Sequence, residues 1–127
     1  MEQTSSIKTA NILFVDDEQS ILETLKRFMR NSKYRCFYAN SGHEALDILE
    51  KEVIDVVVSD MKMPEMTGDE LLREVSNKYP ETIRIVLSAF SEDDLVMNAI
   101  NEGHIWGFIH KPWNNSELSQ AIDQAVF

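Results

Sequence analysis

Acidic, hydroxyl and amine side chains stand at the downstream ends of four separate apolar runs. Asp16 and Asp17 follow the run NILFV, Asp60 follows VIDVVVS, Ser88 follows RIVL, and Lys111 follows FIH. The carboxyl ends of parallel strands meet at one edge of a sheet, where open α/β sheets bind ligands. If these runs are parallel strands, the five side chains converge. The pattern then predicts a phosphoryl-accepting magnesium site.

Three carboxylates gathered at one edge require a partner for their charge. Each close pair repels by about 4 kcal/mol at an effective dielectric constant near 20, unless a cation lies between them or one carboxyl takes a proton. Carboxylate oxygens, waters and a phosphoryl group suit Mg²⁺, with Mn²⁺ as a substitute, and no Cys or His adjoins these acids to favour zinc. The alternative is that Asp16, Asp17 and Glu18 only form the acidic opening of a helix, which negative charge stabilises.

Asp60 is the candidate nucleophile because it ends a strongly apolar run and precedes MKMPEMTG, whose Gly68 permits a tight turn. A carboxylate attacks phosphorus when a metal and a cation neutralise the transferring group. Lys111, restricted by the following Pro112, is the candidate cation, and the Ser88 hydroxyl is a candidate donor to a phosphoryl oxygen. Their alternative roles are an ordinary surface lysine and a strand-end cap.

Apolar runs alternate with helical patterns along the chain, which predicts repeated strand and helix units around a parallel sheet. Strands are predicted near residues 11–16, 34–39, 54–59, 83–88 and 107–110. Apolar stripes at helical spacing are predicted to face the core, and the clearest is Ile21, Leu22, Leu25, Phe28 and Met29. Four capping pairs predict helix starts: Ser41 with Glu44, Thr67 with Glu70, Ser91 with Asp94, and Asn114 with Glu117. Gly103 is predicted to end the fourth helix.

Composition narrows the class of protein. The 127 residues are 43% hydrophobic, which is enough for one domain with a buried core. We expect a flexible segment over residues 1–10 and a single domain over 11–127.

The charge and the apolar runs exclude several classes of partner. A formal charge of −10 is a poor match for DNA or an anionic membrane. No run approaches the roughly 20 apolar residues of a membrane span, and the start lacks a signal peptide, so we expect a cytoplasmic protein. Cys36 is the only cysteine, which excludes an internal disulfide, and we expect it to be a small buried residue.

Four motifs together resemble the response-regulator receiver domains of two-component signalling, over residues 11–125. They are the acidic pair Asp16 and Asp17, the segment DMKMPEMTG from Asp60 to Gly68, the pair Ser88 and Ala89, and the pair Lys111 and Pro112. The resemblance implies an α/β, flavodoxin-like, doubly wound fold. Its parallel sheet would have five strands in the order 2-1-3-4-5 and would carry five helices.

The resemblance also implies a role for each site residue. Asp60 would be the phosphoacceptor, and Lys111 and Ser88 would bind the phosphoryl oxygens. The implied Mg²⁺ ligands are Asp16, Asp17, Asp60 and the backbone carbonyl of Lys62. No organic cofactor is implied.

A switch involving Ser88 and Phe108 is likewise implied by the resemblance. In the family the hydroxyl residue moves toward the phosphoryl group, and an aromatic residue on the last strand turns into the space it leaves. Phe108 stands three residues before Lys111, at the aromatic position. Ser88 replaces the commoner Thr, and Phe108 lacks the hydroxyl of the commoner Tyr, so this switch would depend on packing. The alternative for Phe108 is a plain core aromatic.

By resemblance, the protein would accept a phosphoryl group from a histidine kinase or histidine phosphotransfer protein. It would catalyse its own phosphorylation and dephosphorylation without turning over external substrates. The signal would leave through helix 4, strand 5 and helix 5, either by homodimerisation or to a C-terminal output domain outside this chain. Lys62 and Phe90 would hinder the water that removes the phosphate. His43, His104 and His110 are expected at the surface or a strand edge, away from the site and without a catalytic role.

Three alternatives stay open at this point. A magnesium-dependent phosphohydrolase with an aspartyl nucleophile normally needs a D-x-D motif, but Glu18 follows Asp16 and Lys62 follows Asp60 at that spacing. A flavin-binding module needs a glycine- and hydroxyl-rich phosphate loop, where this chain has DDEQS. A receiver-like module that binds partners without phosphorylation is the third alternative.

Overall fold

Five parallel strands form one sheet in the computed structural model of this protein, which describes residues 9–127. The strands are β1 Asn11–Val15, β2 Arg35–Ala39, β3 Val56–Asp60, β4 Ile83–Ser88 and β5 Gly107–His110. Their order is β2-β1-β3-β4-β5, and every neighbouring pair is parallel. The helices of the described residues are α1 Gln19–Met29, α2 Gly42–Lys51, α3 Gly68–Lys78, α4 Asp93–Asn101 and α5 Asn115–Val126. The predicted flavodoxin-like α/β fold is confirmed.

Helices cover both faces of the sheet, because alternate strand residues point to opposite sides. On one face, Ile12, Phe14, Val58, Leu87 and Ile109 pack with the buried stripe of α1 and with Leu118 and Ile122 of α5. On the other face, Leu13, Val15, Val57 and Val86 pack with residues of α2, α3 and α4. The central strand β3 is buried along its whole length, as its β-branched sequence predicts. Cys36 is half-buried at the edge of the first layer.

The predicted strand bounds are close to those observed, with one informative shift. The third strand begins at Val56 and ends at Asp60, so Asp60 is its last paired residue, opposite Leu87. Asp55 precedes the strand, and its carboxylate accepts a hydrogen bond from the backbone amide of Asn11 at 2.8 Å. Residues 1–8, most of the segment expected to be flexible, lie outside the described residues, whereas Ala10 is buried.

Three of the four predicted helix caps are confirmed. Side chains of Ser41, Thr67 and Asn114 each accept from the backbone amide three residues on. The prediction that Ser91 caps the fourth helix is wrong, because a 3₁₀ turn, Phe90–Glu92, precedes α4. The carboxylate of Glu92 accepts from the backbone amide of Ala89 at 3.1 Å. Gly103 follows the fourth helix with φ of 84°, a conformation that favours glycine.

No helix within residues 9–127 has the length and apolar character needed to cross a membrane.

Candidate functional site

Side chains from three strand ends meet at the carboxyl edge of the sheet. The Lys111 ammonium lies 2.9 Å from Oδ2 of Asp16 and 3.1 Å from Oδ1 of Asp60. One carboxylate oxygen from each of Asp16, Asp17 and Asp60 lies within 4.8 Å of the other two. Asp16 is fully buried, Asp60 is 7% exposed, and Asp17 is exposed. The structure therefore brings together the four charged residues that the sequence pattern placed at one edge.

Backbone hydrogen bonds at the strand ends fix these side chains. The amide of Asp16 donates to the carbonyl of Ala39 at 3.1 Å, and its carboxylate accepts from the amide of Glu18 at 2.9 Å. The amide of Lys111 donates to the carbonyl of Ser88 at 2.8 Å. Both residues thus continue the ladder by one bond beyond β1 and β5. Their side chains are positioned by the sheet and not by a free loop.

Gly68 allows the chain after β3 to return close to the nucleophile candidate. A Cβ at this position would lie 2.0 Å from the backbone oxygen of Asp60 and 2.9 Å from the Cα of Met61. The amide of Gly68 donates to the carbonyl of Met61 at 2.8 Å. No side chain fits in this space, so glycine is required for the tight approach predicted from the sequence.

The electrostatics of the site disfavour three ionised carboxylates. Burial, followed by the charge of Asp16, raises the pKa of Asp60 from 3.8 to about 6, against the opposing effect of Lys111. Burial lowers the pKa of Lys111, but its contacts with Asp16 and Asp60 outweigh burial, so the net direction is upward. Lys111 therefore stays protonated. One ammonium against three carboxylates leaves an excess of negative charge, and a divalent cation with oxygen ligands fits that donor set.

The Ser88 hydroxyl is the other notable polar group at this edge. Ser88 is fully buried, and its Oγ has no hydrogen-bond partner among the described residues. Buried hydroxyls are normally paired, so an unpaired one calls for a functional explanation. Its register neighbour on β5 is His110.

Lys62 and Phe108 both lie outside the charged cluster. Lys62 is exposed in the loop that follows β3, and the role of its carbonyl as a metal ligand stays a prediction. Phe108 is 40% exposed, and its ring meets the ring of His110 edge-on, with centroids 5.1 Å apart. The alternative that Phe108 is a core aromatic is therefore wrong, and its role in a switch stays a prediction.

Two histidines differ from the expectation. His104 is not a surface residue: it is 5% exposed, and its Nε2 lies 2.5 Å from Oδ1 of Asp69 on α3. His110 does lie on the edge strand, but it ends β5 beside Ser88 instead of lying away from the site. The position of His110 directly before Lys111, at the end of the last strand, was a usable signal that it lies near the site. His43 is exposed, as expected.

Comparison with known proteins gives the class. The model of the response regulator receiver domain family matches residues 12–123. The match covers nearly all of the chain, and this protein belongs to the response regulator receiver domain family. Receiver domains are signalling domains of two-component systems, and they do not turn over external substrates.

Individual relatives agree with the family match. The chain is 35% identical over 121 residues to the hydrogenase transcriptional regulatory protein HoxA of Cupriavidus necator, covering 95% of this chain and 25% of the relative. It is 35% identical to the transcriptional regulatory protein GlrR of Escherichia coli, covering 95% and 27%. The sensor kinase CckA of Brucella abortus is 34% identical, covering 93% and 13%. The chain thus spans about a quarter of the two regulators and less of the kinase.

Solved structures support the fold. The signal receiver domain of an HD domain-containing protein from Pseudomonas fluorescens superimposes with a TM-score of 0.89 at 34% identity, covering 94% of this chain and 95% of that one. A response regulator receiver domain protein from Clostridium thermocellum gives a TM-score of 0.86 at 34% identity, covering 92% and 94%.

Proposed function

We propose that Asp60 accepts a phosphoryl group from a histidine kinase or histidine phosphotransfer protein, with Mg²⁺ bound at the same site. The observation that carries this proposal is the double contact of the Lys111 ammonium with Asp16 and Asp60 beside three clustered carboxylates. A purely structural ion pair needs one acid for one base. Three clustered acids with one ammonium in contact with two of them form an arrangement that a metal and a phosphoryl group would complete.

Each residue has a distinct task in the transfer. A carboxylate oxygen of Asp60 forms a bond to phosphorus while the bond from phosphorus to the donor imidazole nitrogen breaks, and that nitrogen keeps the electron pair. The Lys111 ammonium neutralises the charge of the transferring group, and the Ser88 hydroxyl donates to one of its oxygens. Asp16, Asp17, Asp60 and the carbonyl of Lys62 would hold Mg²⁺, which supplies electrostatic stabilisation of the phosphoryl oxygens. Positioned charges of this kind lower the barrier without an external base.

The same groups support loss of the phosphoryl group to water, so the domain catalyses both its phosphorylation and its dephosphorylation. The competing phosphohydrolase function is not favoured. Two residues after Asp16 stands Glu18, which is the N-cap residue of the first helix. Two residues after Asp60 stands the exposed Lys62, which is not an acid. Neither position therefore supplies the D-x-D motif that such an enzyme normally needs.

The signal would leave through the surface of α4, β5 and α5. Met97 on α4, Phe108 on β5 and Trp106, just before β5, are each at least 40% exposed. Large apolar groups of this kind anchor interfaces. We assign this surface to a homodimer contact, and to contact with an output domain in a longer protein like the regulators above. Sedimentation with and without beryllofluoride tests the homodimer. The protein should dimerise when beryllofluoride is added, and a protein that stays monomeric would refute this assignment.

Intact mass after incubation with Mg²⁺ and acetyl phosphate tests the central claim. The wild type should gain one phosphoryl group, and Asp60→Asn should gain none, because its amide is not a nucleophile. Asp47→Asn, on the exposed side of α2, is the matched control and should be labelled like the wild type. Undiminished labelling of Asp60→Asn would refute the assignment of the acceptor.

A further inference from the structure

His110 fastens the end of β5 to the segment that follows β4. Its Nε2 lies 2.8 Å from Oδ1 of Asp93, the first residue of α4. Its ring stacks on the ring of Phe90, with centroids 3.7 Å apart and an angle of 20° between the planes. We call these three residues, His110, Phe90 and Asp93, the His110 clamp. The clamp joins β5 to both ends of the turn between β4 and α4.

The turn itself is held as a unit. Glu92 is 8% exposed, and its carboxylate accepts from the amide of Ala89, so the backbone between these residues is closed on itself. Outside that closure, the contacts of Phe90 and Asp93 with His110 connect the turn to β5. Displacement of the turn relative to β5 must therefore separate the two stacked rings and break the bond to Asp93.

Ser88 links the clamp to the site. It immediately precedes the turn, and its register neighbour His110 lies on the same face of the sheet, because paired residues of adjacent strands point to the same side. In this structure the contacts of the clamp are formed, and the Ser88 hydroxyl has no hydrogen-bond partner among the described residues. The closed clamp thus belongs to a conformation in which this hydroxyl is not engaged.

We propose that the His110 clamp opposes the movement of the β4–α4 turn that brings Ser88 to a phosphoryl group, so that His110 is a positioning residue for the switch. This inference rests on the proposed function of Asp60 and Ser88. An ionised carboxylate only accepts hydrogen bonds, so the imidazole donates to Asp93. Loss of one such bond, worth about 1 kcal/mol, should tighten binding of a phosphoryl mimic about fivefold.

Affinity for beryllofluoride in the presence of Mg²⁺, followed by tryptophan fluorescence, tests the clamp. His110→Phe keeps an aromatic ring but removes the donor, and Asp93→Ala removes the acceptor at an exposed position. Each should bind about fivefold more tightly than the wild type, with the double variant no tighter than either single one, because both remove the same bond. Asp93→Asn keeps an acceptor oxygen and should restore affinity to near the wild-type value.

Two matched controls separate the clamp from general effects. Asp94→Ala removes the same charge from the neighbouring exposed position, and His43→Phe makes the same exchange on α2; both should bind like the wild type. Tightening by Asp94→Ala equal to that by Asp93→Ala would overturn the clamp in favour of overall charge. Equal or weaker binding by both clamp variants would also overturn it.

Amide hydrogen exchange over residues 89–94, without any mimic, gives a second and independent readout. Exchange should be faster in His110→Phe and in Asp93→Ala, and unchanged exchange would overturn the clamp. Failure of the wild type to bind beryllofluoride would instead overturn the proposed function, and with it the coupling to Ser88. Wild-type binding with no difference among the variants would overturn the clamp alone.

Discussion

Replacing Asp60 with asparagine should stabilise the fold at neutral pH in the absence of divalent cations. Burial and the charge of Asp16 raise the pKa of Asp60 from 3.8 to about 6. That difference of about 2 pK units corresponds to about 3 kcal/mol of unfolding free energy. The amide of asparagine has a similar shape and no charge, so it avoids this cost. The pKa of about 6 already includes the opposing effect of Lys111. The expected net gain is therefore about 1–3 kcal/mol, and its upper end is reached if the amide reproduces the contacts of the protonated carboxyl.

The sign of the pH dependence follows from the raised pKa. Below pH 3.8 the carboxyl of Asp60 is protonated in both the folded and unfolded states, and the wild type bears no cost. Between pH 3.8 and about 6 the unfolded state ionises this carboxyl while the folded state keeps it protonated, so the unfolding free energy of the wild type falls as pH rises and levels off above about 6. About half of the cost is present at pH 5 and nearly all of it at pH 8, so the gain from Asp60→Asn should be about 1 kcal/mol larger at pH 8.

Urea unfolding followed by tryptophan fluorescence, with a chelator present, measures this gain at pH 5 and pH 8. Asp47→Asn, at an exposed position on α2, should leave the unfolding free energy within about 0.5 kcal/mol of the wild-type value. Added Mg²⁺ should stabilise the wild type more than Asp60→Asn, because the variant lacks one of the three carboxylates proposed to hold the ion. No gain at pH 8, or an equal gain at both pH values, would refute the electrostatic reasoning.

Two further substitutions test the positioning of the site. Gly68→Ala places a Cβ 2.0 Å from the backbone oxygen of Asp60 and should lower the unfolding free energy by more than about 2 kcal/mol in urea titrations. Its control is Gly107→Ala, where an added Cβ has no atom within 4 Å. Equal losses of stability in the two variants would argue against the close approach. Thr67→Ala removes the capping box of α3 and should cost about 1 kcal/mol, which the same titrations measure; a change below about 0.3 kcal/mol would show that the cap is replaced by water.

The edge at which the charged side chains meet was predictable because it depends on a general rule. Strands that are joined by helices run parallel, so residues that end different strands arrive at one edge whatever their separation in sequence. Asp16, Asp60 and Lys111 needed no further information to be placed together. Their position alone did not predict which ligand they bind, because acids and a lysine at a sheet edge also suit other ligands. The family motifs supplied that part.

Features that depend on individual side-chain contacts were not predictable. The fourth helix starts later than its Ser91 capping pattern indicates, because Glu92 takes the amide of Ala89 and closes a 3₁₀ turn first. The burial of His104 depends on Asp69, which lies 35 residues earlier and carries no matching pattern. Short-range patterns report local preferences, whereas such contacts are decided by how the helices dock.

The contact between Lys111 and Asp16 spans 95 residues of sequence, which has a consequence for biosynthesis. On the ribosome, the three acids emerge well before the lysine that offsets their charge. A nascent chain that has docked only its first three strands therefore holds mutually repelling carboxylates without a counter-ion of its own. The charge balance of the site is therefore complete only once β5 has joined the sheet and the Lys111 ammonium has reached Asp16 and Asp60.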